Sequence, residues 1–187
     1  MSNALIVLAD GFEDIEAVAT IDVLRRGGVD VDVASLSGSA SVASAHGLAV
    51  AADGPLSGFG AKNYDAIILP GGGKGTENLM ASAELADLLR RQKAAGRRVC
   101  AICAAPAVLS AAGAMDTERF TCYPGMERSI GRESTDAPVV TDSLVTTGRG
   151  PGAAVPFALE ILRNIESPET ARRVASGMLA RDGSGAE

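Results

Sequence analysis

Ala4-Leu5-Ile6-Val7-Leu8-Ala9, then Asp10-Gly11-Phe12, then Glu13-Asp14-Ile15-Glu16 is the stretch whose reading decides the fold. An apolar run without alternation predicts a strand buried on both faces, as in the interior of a parallel sheet. Asp10-Gly11-Phe12 turns the chain. From Glu13 to Arg26 the apolar residues Ile15, Val18, Ala19, Ile21 and Leu24 suggest one face of a helix. Acids in its first turn suit the dipole, and Gly27-Gly28 stops it.

The same alternation of strand and helix continues outward. Ala66-Ile67-Ile68-Leu69 predicts a second buried strand, running into Pro70-Gly71-Gly72-Gly73. Val99-Cys100-Ala101-Ile102 predicts a third, followed by a helix over 104–112. Residues 29–34 alternate Val and Asp, which places their strand nearer an edge with one wet face. Residues 42–52 read as a hairpin or an irregular strand pair and 55–62 as loop, with a helix over 83–95. Short strands are predicted at 120–122, 139–140 and 144–147, then a helix over 153–165. Ser167 at N-cap and Pro168 at N1 open a last helix, and 182–187 is expected to fray. Strands alternating with helices define an α/β protein with a mainly parallel central sheet flanked by helices. With no internal repeat or linker, residues 1–187 read as one domain.

Composition narrows the function classes. Hydrophobic residues make up 47% of the 187, which suits a globular chain, while aromatics are 3% and Trp is absent. The net charge of -6, with no basic stripe, argues against a dedicated nucleic-acid site. The first apolar run is short, lacks a basic lead and meets Asp10 at once, so it reads as a strand and not a signal peptide. No segment approaches the ~20 apolar residues of a membrane span. Three Cys without such a signal do not form a disulfide framework, and a cytoplasmic location is expected.

Three loops follow buried strands at the sheet edge where ligands of open α/β folds bind. In one, Cys103 lies between a strand and a helix opened by Ala104-Ala105-Pro106. Free N–H groups and the helix dipole there favour a thiolate and a lowered pKa. In the second, the Gly71-Gly72-Gly73 backbone can approach a neighbouring site, and an N–H from it paired with that of Ala104 makes an oxyanion hole. In the first, Glu13 and Asp14 serve the dipole. Glu16, if turned inward, has a raised pKa and can donate a proton to the thiolate. Cys100 and Cys103 form C-x-x-C, but three residues of strand separate their Cα atoms by about 10 Å, beyond the ~7 Å reach of a disulfide. Cys100 is read as core. Cys122 is read as core too, with an oxidisable thiol as the alternative. No ligand spacing for zinc appears, and no cofactor or metal is expected.

These motifs resemble the DJ-1/PfpI family, nearest its DJ-1 and YajL branch. The resemblance is carried by Ala4–Ala9 with Gly11-Phe12-Glu13-Asp14-Ile15-Glu16-Ala17, by Ile21-Asp22-Val23-Leu24-Arg25-Arg26-Gly27-Gly28, and by Tyr64-Asp65 through Leu69-Pro70-Gly71-Gly72. Ala101-Ile102-Cys103-Ala104-Ala105-Pro106 and Gly148-Arg149-Gly150-Pro151-Gly152 complete it. It implies a flavodoxin-like three-layer sandwich forming a homodimer, with Cys103 as nucleophile, Glu16 as its acidic partner and the N–H groups of Gly72 and Ala104 as oxyanion hole. It implies glyoxalase III or deglycase activity on small dicarbonyls or their glycated adducts, in stress defence. Tyr123 stands where many members carry a His, which weakens a Cys-His protease mechanism. Tyr123, Arg26 and His46 are candidate substrate-binding residues, and the resemblance places His46 near the family's dimer interface. The competing expectation is a redox sensor or chaperone working through oxidation of Cys103.

Overall fold

Ala4 to Leu8 are fully buried because β1 (Asn3–Leu8) lies in the middle of a parallel sheet with helices on both sides. The computed structural model describes residues 1–180, so the tail at 182–187 lies outside the described residues. Among the described residues the sheet has seven strands, in the order β5-β2-β1-β6-β7-β9-β8. The strands are β2 (Asp30–Ser35), β5 (Gly54–Pro55), β6 (Ala66–Leu69), β7 (Arg98–Ile102), β8 (Val139–Asp142) and β9 (Val145–Gly148). All pairings are parallel except β8 with β9. A separate antiparallel hairpin, β3 (Ser41–Ala43) with β4 (Ala49–Ala51), confirms the expectation at 42–52.

Strand pleating divides the core. Ala4, Ile6 and Leu8 point to one side, toward α1 (Asp14–Arg26), α6 (Ala154–Ile165) and α7 (Pro168–Gly177). Leu5, Val7 and Ala9 point to the other, toward α2 (Gly73–Met80), α3 (Ala83–Ala94) and α4 (Pro106–Ala111). This is the expected three-layer α/β sandwich. Its aliphatic core rests on volume and not on aromatics: Phe12, Phe120, Phe157 and Tyr64 are the only aromatic rings among its fully buried side chains.

Four expectations need correction. Residues 120–122 are buried but form no strand, because β8 occupies the free edge of β9. Their backbone is satisfied irregularly: Thr121 N–H donates to Thr147 Oγ1 at 2.9 Å, and Phe120 O accepts from Thr135 N–H at 2.7 Å. The helix expected over 104–112 starts only at Pro106, since Cys103–Ala105 form the turn. Helices α2 and α5 (Glu127–Ile130) are additions to the expected elements. Finally, α1 is rotated from the expected face. Ile15 and Val18 are exposed, while Glu16, Ala17, Thr20, Val23 and Leu24 are buried. That rotation turns Glu16 inward.

Candidate active site

Parallel order sets the site. Because β1, β6 and β7 are adjacent, the loops leaving their C-terminal ends meet on one edge. Main-chain hydrogen bonds lock these loops together. Glu13 N–H donates to Gly71 O at 3.0 Å, and Gly75 N–H to Gly11 O at 3.1 Å. Cys103 N–H donates to Gly148 O at 2.9 Å, and Tyr123 N–H to Cys103 O at 2.8 Å. Cys103 itself is held at φ 65, in the left-handed region that non-glycine residues rarely occupy.

Glu16 is placed by the start of α1. The Glu13 side chain caps the helix, accepting from Glu16 N–H at 2.8 Å. The Glu16 side chain is wholly buried; its Oε2 accepts the Gly71 N–H at 2.7 Å. The carboxyl also lies against the Cys103 thiol, although Oε1 has no partner of good hydrogen-bond geometry. The backbone N–H groups of Gly72 and Ala104 also act on the Cys103 sulfur, favouring its thiolate. Glu16, Cys103, Gly72 and Ala104 are therefore together, as the sequence suggests. Gly71, the donor to Glu16, is absent from the sequence-derived candidates, although its place directly after Pro70 at a strand end is an available signal. A Cβ at 71 would stand 2.7 Å from Cys103 Cβ and 2.9 Å from Glu16 Oε2, so only glycine admits this contact.

The electrostatics differ from expectation at the thiol. Burial pushes the Glu16 carboxyl up to about 7, against the lowering pull of the Gly71 N–H. Burial and the neighbouring Glu16 charge push the Cys103 thiol up to about 12. The predicted lowering by a helix terminus is overridden, because α4 begins three residues later and runs for only 6. The Gly72 and Ala104 N–H groups oppose the rise without cancelling it. The pair thus holds a proton through neutral pH, and Glu16 is the group placed to accept it when the sulfur reacts.

Of the remaining candidates, Tyr123 is bound to Cys103 through its main chain. Tyr123 is 51% exposed and borders a cavity with Arg149 and Gly150. His46 Nδ1 pairs with Asp14 Oδ2 at 2.8 Å, and Ser44 Oγ donates to Asp14 Oδ1 at 2.5 Å, pinning the hairpin to the start of α1. Arg26 pairs with Asp22 Oδ2 at 2.7 Å at the far end of α1. The structure brings neither Arg26 nor His46 to the thiol. Cys100 is fully buried in β7, where burial pushes its thiol up to about 12, as suits core. Donor atoms of Glu13, Asp14 and His46 all lie within 4.8 Å of one another, but each of these side chains already holds a hydrogen bond. No helix among the described residues is long and apolar enough to cross a membrane.

Comparison with known proteins agrees with this fold. The family model described as the DJ-1/PfpI family matches residues 2–164. The chain belongs to the DJ-1/PfpI family. Within it, the protein dj-1beta of Drosophila melanogaster is 37% identical over 95% of this chain and 96% of its own. The crystal structure of Drosophila DJ-1beta superposes with a TM-score of 0.93, covering 97% of this chain and 100% of that one. An oxidized Toxoplasma gondii DJ-1 superposes at 0.92 with 34% identity, over 96% and 99%. A Caenorhabditis elegans glutathione-independent glyoxalase is 38% identical over 89% of this chain and 90% of its own.

Proposed function

We propose that this protein is a cysteine-dependent enzyme converting reactive dicarbonyls, or their adducts, to hydroxy acids without a cofactor. One observation carries the reading: a buried carboxyl and two backbone N–H groups converge on one thiol. The C. elegans relative named as a glutathione-independent glyoxalase supports it.

In methylglyoxal conversion Glu16 takes the thiol proton as the Cys103 sulfur bonds to the aldehyde carbon. The carbonyl electron pair moves to oxygen, where the Gly72 and Ala104 N–H groups stabilise it. The product is a hemithioacetal. Glu16 hands the thiol proton to that oxygen. It then carries the proton of the former aldehyde carbon to the adjacent carbonyl carbon, while the hydroxyl proton passes to the adjacent carbonyl oxygen. This oxidises the first carbon to a thioester and reduces the second to an alcohol. Water cleaves the thioester, releasing lactate and the thiol. Adducts share the first covalent step at Cys103.

Cys103→Ala is expected to lower lactate release from methylglyoxal by at least about a thousandfold. Undiminished turnover, assayed enzymatically for lactate, would end the mechanism. The same sulfur environment suits a redox sensor or chaperone, a reading favoured by the oxidized state of the Toxoplasma neighbour. Intact mass after mild peroxide separates the two, since two added oxygens with negligible lactate release identify the sensor.

We further propose a cytoplasmic homodimer. Ile15 and Val18, at 56% and 46% exposure, stand one helical turn apart on α1, beside the hairpin that exposes Leu48. Such clustered apolar exposure is typical of an interface. Three unpaired cysteines suit a reducing compartment. Ile15→Lys with Val18→Glu is expected to halve the mass measured by light scattering, and a mass unchanged from wild type would refute this face as the interface.

A further inference from the structure

A cavity of about 430 Å³ is lined by Tyr123, Pro124, Pro138, Arg149, Gly150 and Pro151 among others. Two main-chain hydrogen bonds tie it to Cys103. Tyr123 N–H donates to Cys103 O, and Cys103 N–H donates to Gly148 O, two residues before Gly150. The Tyr123 ring lies over Gly150, where a Cβ would stand 3.3 Å from its Cδ2. Prolines form much of the remaining wall. Its one charged side chain, Arg149, is paired with Asp136.

Size and chemistry together point to the occupant. Cavities of ~300–1,000 Å³ hold ligands much larger than a three-carbon dicarbonyl. A polar substituent would shed water against these prolines and find few partners. A flat ring would instead stack on Tyr123 in offset or edge-to-face geometry.

We propose that Tyr123, with Gly150 beneath it, is a specificity-determining residue for a planar apolar substituent, so that aryl-substituted α-oxoaldehydes are preferred over methylglyoxal. This rests on the dicarbonyl reading of Cys103 and Glu16, and binding is therefore tested apart from turnover.

The chain has two tyrosines, and Tyr64 is fully buried, so ring-labelled tyrosine gives NMR signals for Tyr123 with an internal reference. In Cys103→Ala, mandelate is expected to shift the Tyr123 signals at about tenfold lower concentration than lactate, leaving Tyr64 unmoved. Equal midpoints, or no movement of Tyr123, overturn the proposal. In the active protein, kcat/KM for phenylglyoxal is expected to exceed that for methylglyoxal by about tenfold. Tyr123→Ala should bring the two to parity while Tyr123→Phe keeps the preference, and a preference unchanged in Tyr123→Ala overturns the assignment. Selective mandelate binding without turnover of either aldehyde would support the subsite and defeat the dicarbonyl reading. Methylglyoxal turnover without selective binding would do the reverse.

Discussion

Glu16→Gln is expected to raise the melting temperature by roughly 5–10 °C at pH 8 while lowering lactate release by a factor of about 10²–10⁴. The buried carboxyl keeps its proton up to about 7, whereas the unfolded chain releases it near 4.5. Between those values the folded state binds more protons than the unfolded one, so stability falls as pH rises. Above pH 7 the full penalty, on the order of 3 kcal/mol, is present. Glutamine is neutral and still accepts the Gly71 N–H through its carbonyl oxygen, so the penalty disappears. Melting curves of the two proteins should therefore diverge at pH 8 and converge below about pH 4.5. Parallel behaviour at both pH values would show that Glu16 is not held as described. Activity runs the opposite way. The carboxylate must accept the thiol proton, so kcat/KM of the wild type should rise with an apparent pKa of about 7. The residual activity of Glu16→Gln should lack that rise.

Gly72→Ala is expected to lose about 2–6 kcal/mol of stability, enough to unfold a protein of ordinary stability at moderate temperature. Gly72 sits at φ 93, and a Cβ there would stand 2.3 Å from Gly11 O and 2.8 Å from Glu13 N. Those atoms are backbone at the entry to α1, so no side chain can swing away to relieve the clash. At the neighbouring Gly73 an added methyl group would meet nothing within 4 Å, and Gly73→Ala should change stability by no more than about 0.5 kcal/mol. Urea unfolding of both variants makes the comparison. Coincident midpoints would show that the Gly11–Glu13 loop yields freely.

Much of the architecture is legible in the sequence because buried parallel strands are written as unbroken apolar runs. β1, β6 and β7 announce themselves this way, and their shared edge follows from the fold class. Residues 120–122 mislead for the same reason. Phe120-Thr121-Cys122 is as apolar and β-prone as a strand, but β9 already lies between β7 and β8 and offers it no ladder. α2 is hidden by Gly73-Lys74-Gly75, whose glycines disfavour a helix locally, while Gly75 permits the close approach to Gly11 and Phe12. At the site, the proximity of Glu16 to Cys103 is legible from loop positions. The direction of the thiol shift is not. It depends on how far burial and the Glu16 charge outweigh two N–H donors, and a string of residues does not contain that balance. Ile15 and Val18 likewise look like core by spacing alone, although a helix whose inner face must carry Glu16 is obliged to turn them out.

The left-handed backbone at Cys103 carries an evolutionary consequence. An L-residue there costs roughly 1–2 kcal/mol that glycine would not incur. Mutational drift toward glycine at this position would therefore make a sturdier molecule. Under the proposed mechanism a cysteine is kept here against that slope because its sulfur is in use.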